Sequence, residues 1–132
     1  MDTWITSDVH RGARQCRAEW FDAFLAHVPP SVCLVLNGDV ITRRTRGETR
    51  LPPVHAAVLD RIRSLSLRQK VIWLGGNHDR RVRVRGKHRI VFVREYAIGK
   101  HLFVAHGDRF DHLSHSLRFA LLPVRLLLLP LV

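Results

Sequence analysis

The stretch VIWLGGNHDRR, Val71 to Arg81, runs four apolar residues into two glycines, then sets Asn77, His78 and Asp79 side by side before Arg80 and Arg81. A short apolar run bounded by glycine reads as a buried strand. A buried strand that ends on three polar side chains asks what they meet there. The same form recurs along the chain. Trp4 to Ser7 is a β-prone run that stops at Asp8-Val-His10. Val32 to Leu36 stops at Asn37-Gly38-Asp39, and His101 to Ala105 stops at His106-Gly107-Asp108.

Helical spacing fills the gaps between these runs. From Arg14 to His27, the residues Trp20, Phe21, Phe24, Leu25 and Val28 recur at three- and four-residue steps, and Pro29-Pro30 ends the pattern. From Pro53 to Leu67, Val54, Val58, Ile62 and Leu65 share one face. Arg43 to Arg50 reads as a basic, polar loop. Arg81 to Arg85 alternates basic with apolar, as an exposed strand would. Arg89 to Tyr96 and His101 to Ala105 read as two more strands joined by a turn at Gly99-Lys100, and Leu113 to Leu129 as a helix interrupted at Pro123. Continuous apolar strands alternating with helices predict an α/β fold, with a parallel sheet covered on both faces.

In such a sheet, ligands bind at the carboxyl ends of the strands. Parallel neighbours lie about 4.8 Å apart, so the polar clusters can converge. Of the 11 acidic residues, five (Asp8, Asp39, Asp79, Asp108 and Asp111) fall in or beside them. Crowded carboxylates and imidazoles repel or desolvate one another unless a cation sits among them. A pair of divalent ions meets that need. Asp8 and His10, two apart on an extended strand, would face the same side and hold one ion. Asp39, with two oxygens, would bridge both. Asn77, through its amide oxygen, and His106 would hold the second. Mixed oxygen and nitrogen ligands suit Mn, Fe or Zn better than Mg or Ca. Two ions about 3.5–4 Å apart would clamp a phosphate and acidify a water between them.

The ordered set D-x-H, G-D, G-N-H-D and H-G-D resembles the signature of calcineurin-like metallophosphoesterases, from Asp8 to about Asp111. The H-G-D-x-x-D segment, His106 to Asp111, is most similar to the branch holding UDP-diacylglucosamine pyrophosphohydrolases. The resemblance implies a layered αββα sandwich and hydrolysis of a phosphoester or pyrophosphate bond at a two-metal centre, with Mn as the leading ion. It implies Asp8, His10 and Asp39 as ligands of the first ion, and Asp39, Asn77 and His106 as ligands of the second. His78 would be the acid or phosphate-stabilising residue, oriented by Asp79. That branch usually carries arginine at the position of His78, which points toward a more general phosphoesterase site or a related subgroup. The family closes its site with a later G-H-x-H, and none occurs before Val132. After His106 the histidines are His112 and His115. Residues 1–132 therefore read as the N-terminal part of one such domain, either C-terminally truncated or a shortened form with an incomplete metal site, with 117–132 an apolar tail.

Bulk composition agrees with one domain: 132 residues, 46% hydrophobic. The charge is far from neutral, with 22 Lys and Arg against 11 Asp and Glu, a formal +11. That sign suits a phosphate-containing substrate, nucleotide- or lipid-linked, as well as nucleic acid or a membrane surface. Arg80 and Arg81, nearest the clusters, are the candidate substrate-binding residues. Cys16 and Cys33 make neither a disulfide framework nor a thiolate metal site. The start MDTWITSDVH lacks the pattern of a secretory signal, which reads as a cytoplasmic setting. The tail is too short to span a bilayer, which takes about 20 residues. It reads as a core-facing segment, a lid over an apolar substrate, or a peripheral membrane contact.

Each cluster alone has a plainer counterpart. Asp8 can cap a helix, Asp39 can close a turn, Asn77-His78-Asp79 can be a Gly-Asn turn, and His106 can be structural. The run from Arg80 to Arg89 can be a solvated edge strand. A second function class also stands: a non-catalytic basic protein of the same fold that binds nucleic acid or another polyanion.

Overall fold

The computed structural model describes residues 1–42 and 52–110. The expected basic loop at 43–50, the helix at 113–129, the tail at 117–132, and Asp111, His112 and His115 lie outside them. Two apolar strands, β2 (Cys33–Asn37) and β3 (Val71–Leu74), form the buried centre of a sheet. Their four-residue β-branched and leucine-rich runs are buried on both sides, as a central parallel pair requires. Flanking them are β1 (Thr3–Thr6) and β4 (Val91–Val93), in the order β1-β2-β3-β4, all parallel.

One face of the sheet carries two helices, α1 (Ala18–Ala26) and α2 (Pro53–Arg68). Proline is tolerated at the start of α2, where its missing N–H has no helical partner anyway. Val58, Ile62 and Leu65 of α2 pack with Leu34, Leu36, Val71 and Trp73 in one core. Burying each of these large side chains contributes about 1.5–3 kcal/mol. The two helices are joined by a two-pronged ion pair, with Arg61 Nε and Nη2 at 2.6 and 2.8 Å from the Asp22 carboxylate. The opposite face carries an antiparallel hairpin, β5 (Glu95–Ile98) and β6 (Leu102–Ala105), which turns at Gly99, φ 62°. Tyr96, Ile98 and Val104 close a second core over Cys33, Val35, Ile72 and Leu74. Both faces are covered, one by helices and one by strands, in the α/β layering that the strand and helix pattern predicts.

Three expectations need correction. The alternating Arg81 to Arg85 is not a strand. It belongs to the irregular crossover from β3 to β4, where Val84 is buried in the helix-side core and Gly86 turns at φ 85°. The alternation plugs a core rather than presenting a sheet face. Arg89 to Tyr96 is not one strand but two: β4 joins the parallel sheet and β5 the hairpin. The first helix begins at Ala18 rather than Arg14. The preceding segment turns tightly instead, with Ala13 N donating to His10 O at 2.8 Å and Cys16 N to Ala13 O at 3.1 Å. Trp20, expected on the core face, is 77% exposed.

Candidate metal centre

The loops that follow β1, β2, β3 and β6 meet at one end of the sheet. Ladder-like hydrogen bonds continue past the strands: Asp8 N donates to Gly38 O at 3.2 Å, His10 N to Asp39 O at 2.8 Å, and Arg11 N to Val40 O at 2.8 Å. Among the described residues, the non-glycine positions with positive φ are Asp8, His10 and Asp39, at 55°, 50° and 53°. All three were singled out as ligands from the sequence. Left-handed backbone costs a side-chain-bearing residue about 1–2 kcal/mol and persists where the surroundings over-determine it, commonly at functional sites. Asp8 and His10 thus lie beyond the strand, and their side chains converge through this backbone rather than through extended-strand alternation.

Asp39 is the hub. It is 4% exposed, and its Oδ2 stands 4.0 Å from His10 Nε2, 4.0 Å from His78 Nε2 and 3.9 Å from His106 Nε2. His10 Nε2 is also 3.8 Å from Asp8 Oδ1. These separations are too long for hydrogen bonds. They are short enough for one ion, held about 2 Å from each ligand, to reach both partners. Two sets of possible ligands result, His10, Asp39 and His78 on one side, and Asp8, Asp39 and His106 on the other, with Asp39 common to both. The division differs from the one the sequence suggested, because His78 joins His10 while Asp8 joins His106.

The Asn77 amide end lies 2.7 Å from Asp39 Oδ2 and 3.1 Å from Oδ1. Its nitrogen there donates to the carboxylate. Its oxygen there needs a cation between the two acceptors, and an amide oxygen is a competent ligand for such an ion. The donor set of carboxylates, imidazoles and one amide fits a divalent transition metal.

The remaining contacts hold this arrangement in place. Asp39 Oδ1 accepts from His78 N at 2.9 Å, which leaves Oδ2 turned toward the imidazoles. Glycines permit the crowding. A Cβ on Gly76 would fall 2.2 Å from Asp39 Oδ1, and one on Gly38 would fall 2.4 Å from His106 Cδ2. Asp79, 1% exposed, accepts from Val40 N and Gly76 N at 2.8 Å, Trp73 Nε1 at 3.1 Å and Asp39 N at 3.3 Å. Its expected partnership with His78 is replaced by this role. Asp79 clamps the loop after β3 to the loop after β2, because both of its oxygens are filled by buried donors.

Asp108 was seen in the sequence only as part of a cluster. Its Oδ1 lies 3.2 Å from His106 Nδ1, and Arg80 Nη2 donates to its Oδ2 at 2.6 Å. Holding Nδ1 turns Nε2 toward Asp39, the arrangement by which carboxylates orient metal-bound histidines. Burial pushes the Asp108 carboxyl up, but hydrogen bonds from Arg80 and His106 outweigh it and leave the carboxyl below its usual range. Only the two-residue spacing in H-G-D could have flagged this role. Arg80, expected on substrate, therefore has an internal partner, while Arg81 is exposed. Both line a cleft of about 840 Å³ with Trp73, Phe92 and Arg94, beside the cluster rather than over it. A cleft of about 430 Å³ touches the cluster itself, at Asp8 and His10.

Comparison with known proteins bears on the family and the fold. The family model for calcineurin-like phosphoesterase matches residues 1–125. Among solved structures, the Pseudomonas putida nuclease MPE is similar at 26% identity and a TM-score of 0.53, over 74% of this chain and 50% of that one. The chain thus spans about half the length of that nuclease. No curated protein matches the sequence. Within the described residues, no helix is long and apolar enough to cross a membrane. By its family match, its fold and its shared-aspartate cluster, the chain belongs to the calcineurin-like phosphoesterase family.

Proposed function

We propose that this chain carries the metal-binding residues of a two-ion phosphodiesterase whose substrate is nucleic acid. The observation that carries the reading is Asp39 Oδ2, set about equally from three imidazoles and common to both ligand sets. Asp8, His10, Asp39, Asn77 and His106 would hold the ions. When bound, such ions polarise phosphoryl oxygens and bring the ionisation of water toward neutral pH.

The chain's own residues do the rest. Asp39 fixes the spacing of the two ligand sets. His106 is held in one ring orientation by Asp108. His78 sits at the outer edge of the cluster with its side chain 34% exposed, where Nε2 can give a proton to a departing alkoxide or steady a phosphate oxygen. Arg81 and the formal charge of +11 favour a polyanion. The likeness to a nuclease supports nucleic acid over other phosphoesters. Mn is the proposed ion, with Fe or Zn as alternatives.

The test is hydrolysis of single-stranded oligonucleotide by the purified chain with Mn. Asp39→Ala should abolish turnover and halve or eliminate bound metal. Full activity in that variant would sink the assignment. Cleavage of a lipid-linked nucleotide pyrophosphate in place of the oligonucleotide would instead favour the branch suggested by H-G-D-x-x-D.

A further inference from the structure

We propose that the cleft between the loop after β1 and helix α1 is a nucleobase subsite, with Trp20 as its stacking face. The inference rests on the nucleic-acid reading above and deepens it. The cleft holds about 430 Å³, within the range of small-molecule sites. Asp8 and His10 stand at one end, and Trp20, Phe21 and Phe24 form the wall. A phosphate held at the ligand cluster would leave its neighbouring nucleoside at this wall.

The wall is stiff and aromatic. Phe24 stacks on Phe21 with ring centroids 5.8 Å apart and planes 19° apart, and on Trp4 at 5.8 Å and 30°. Those rings are partly covered, whereas Trp20 is 77% exposed at a helix position whose spacing predicts core. A lone exposed apolar residue needs no explanation. An exposed indole that opens onto the candidate ligands of a phosphoesterase cluster is a different matter. The segment between His10 and α1 also brings Arg14, Gln15 and Arg17 to the surface, with Gln15 and Arg17 lining the cleft. Cations beside an aromatic platform match a phosphate-linked base, because the base offers a π-face and its strand a negative charge. An acyl chain would gain nothing from the arginine and the amide. Stacking of this kind is tolerant of sequence, since every base has a flat face.

The experiment is calorimetric binding of short oligothymidylate, and of an abasic oligonucleotide of equal length, to the full chain. Wild type, Trp20→Leu and Trp20→Phe are compared in the presence of Mn, each with phosphorothioate-linked strands so that turnover is suppressed. Trp20→Leu should weaken oligothymidylate about ten-fold or more, Trp20→Phe should restore most of the loss, and the abasic strand should bind all three alike. Unchanged binding of oligothymidylate to Trp20→Leu overturns the proposal. So does an equal loss on the abasic strand, or a loss seen only with an alkyl phosphate. Because binding is read without hydrolysis, a chain that stacks bases but cleaves nothing would refute the catalytic reading alone. A chain that cleaves but ignores Trp20→Leu would refute the subsite alone.

Discussion

The loop after β1 and the paired loops after β2 and β3 both present candidate ligands, by opposite physical means. The β2 and β3 loops are held by a buried clamp: Asp79 satisfies backbone donors from both, and Asp39 beside it is almost completely enclosed. The β1 loop is held by ladder hydrogen bonds from Asp8 N and His10 N, and carries its ligands on left-handed backbone. Asp8 there has a side chain 60% exposed. The shared ligand is thus placed by interactions that cannot be exchanged for water. The peripheral ligand shares the left-handed backbone of Asp39 but not its burial, and stands at the edge of an open cleft. The enclosed half sets the geometry, and the wet half leaves room for substrate.

The largest effect should come from the clamp. Asp79→Ala leaves Asp39 N, Val40 N, Gly76 N and Trp73 Nε1 without their acceptor. Each buried unsatisfied donor costs about 1–3 kcal/mol. Partial rescue by water keeps the sum below its ceiling, so a loss of about 3 kcal/mol or more is expected from the urea midpoint. A loss below about 1 kcal/mol would mean that the two halves do not differ in this way.

The wet half should respond with the opposite sign. Asp8→Gly removes a Cβ from backbone at φ 55°, relieving about 1–2 kcal/mol, against the extra chain entropy that glycine loses on folding. The variant should gain about 0.5–1 kcal/mol in the same denaturation experiment while retaining less metal. A destabilised Asp8→Gly protein would show that the exposed carboxylate supports the fold after all.

This contrast bears on what a sequence can disclose. Strand ends are legible, because apolar runs broken by Asp, Asn, His and Gly are local signals. They led to Asp8, His10, Asp39, Asn77, His78 and His106 before any distance was known, and the structure brings all six together. Roles set by long-range partners were not legible. Asp79 and His78 are neighbours in sequence, which suggested a pair, but two of the four buried donors that claim Asp79 come from a loop about forty residues away. Trp20 fits a helical stripe by spacing alone. The buried face of α1 runs through Ala18 and Leu25, and Trp20, two residues from Ala18, falls on the opposite side. The hairpin over the second face was legible from its turn at Gly99-Lys100, but the change of sheets before it was not, since Arg89 to Tyr96 reads as one continuous strand until Arg94 breaks it.

The smallest expected effect lies away from both loops, in the ion pair that joins the two helices. Asp22 and Arg61 bind α1 to α2, and the Arg61 hydrogen bond holds the Asp22 carboxyl below its ordinary value. A carboxyl lowered on folding stabilises the protein above its unfolded pKa of about 3.9. That stability is lost as pH falls through the lowered folded value. Arg61 is 39% exposed, so water screens the pair, and Asp22→Asn should cost only about 0.5 kcal/mol at pH 7. The difference from wild type should shrink toward zero in acid. Denaturation curves for both proteins from pH 7 downward check this. A gap that persists in acid would assign the effect to packing between the helices rather than to charge.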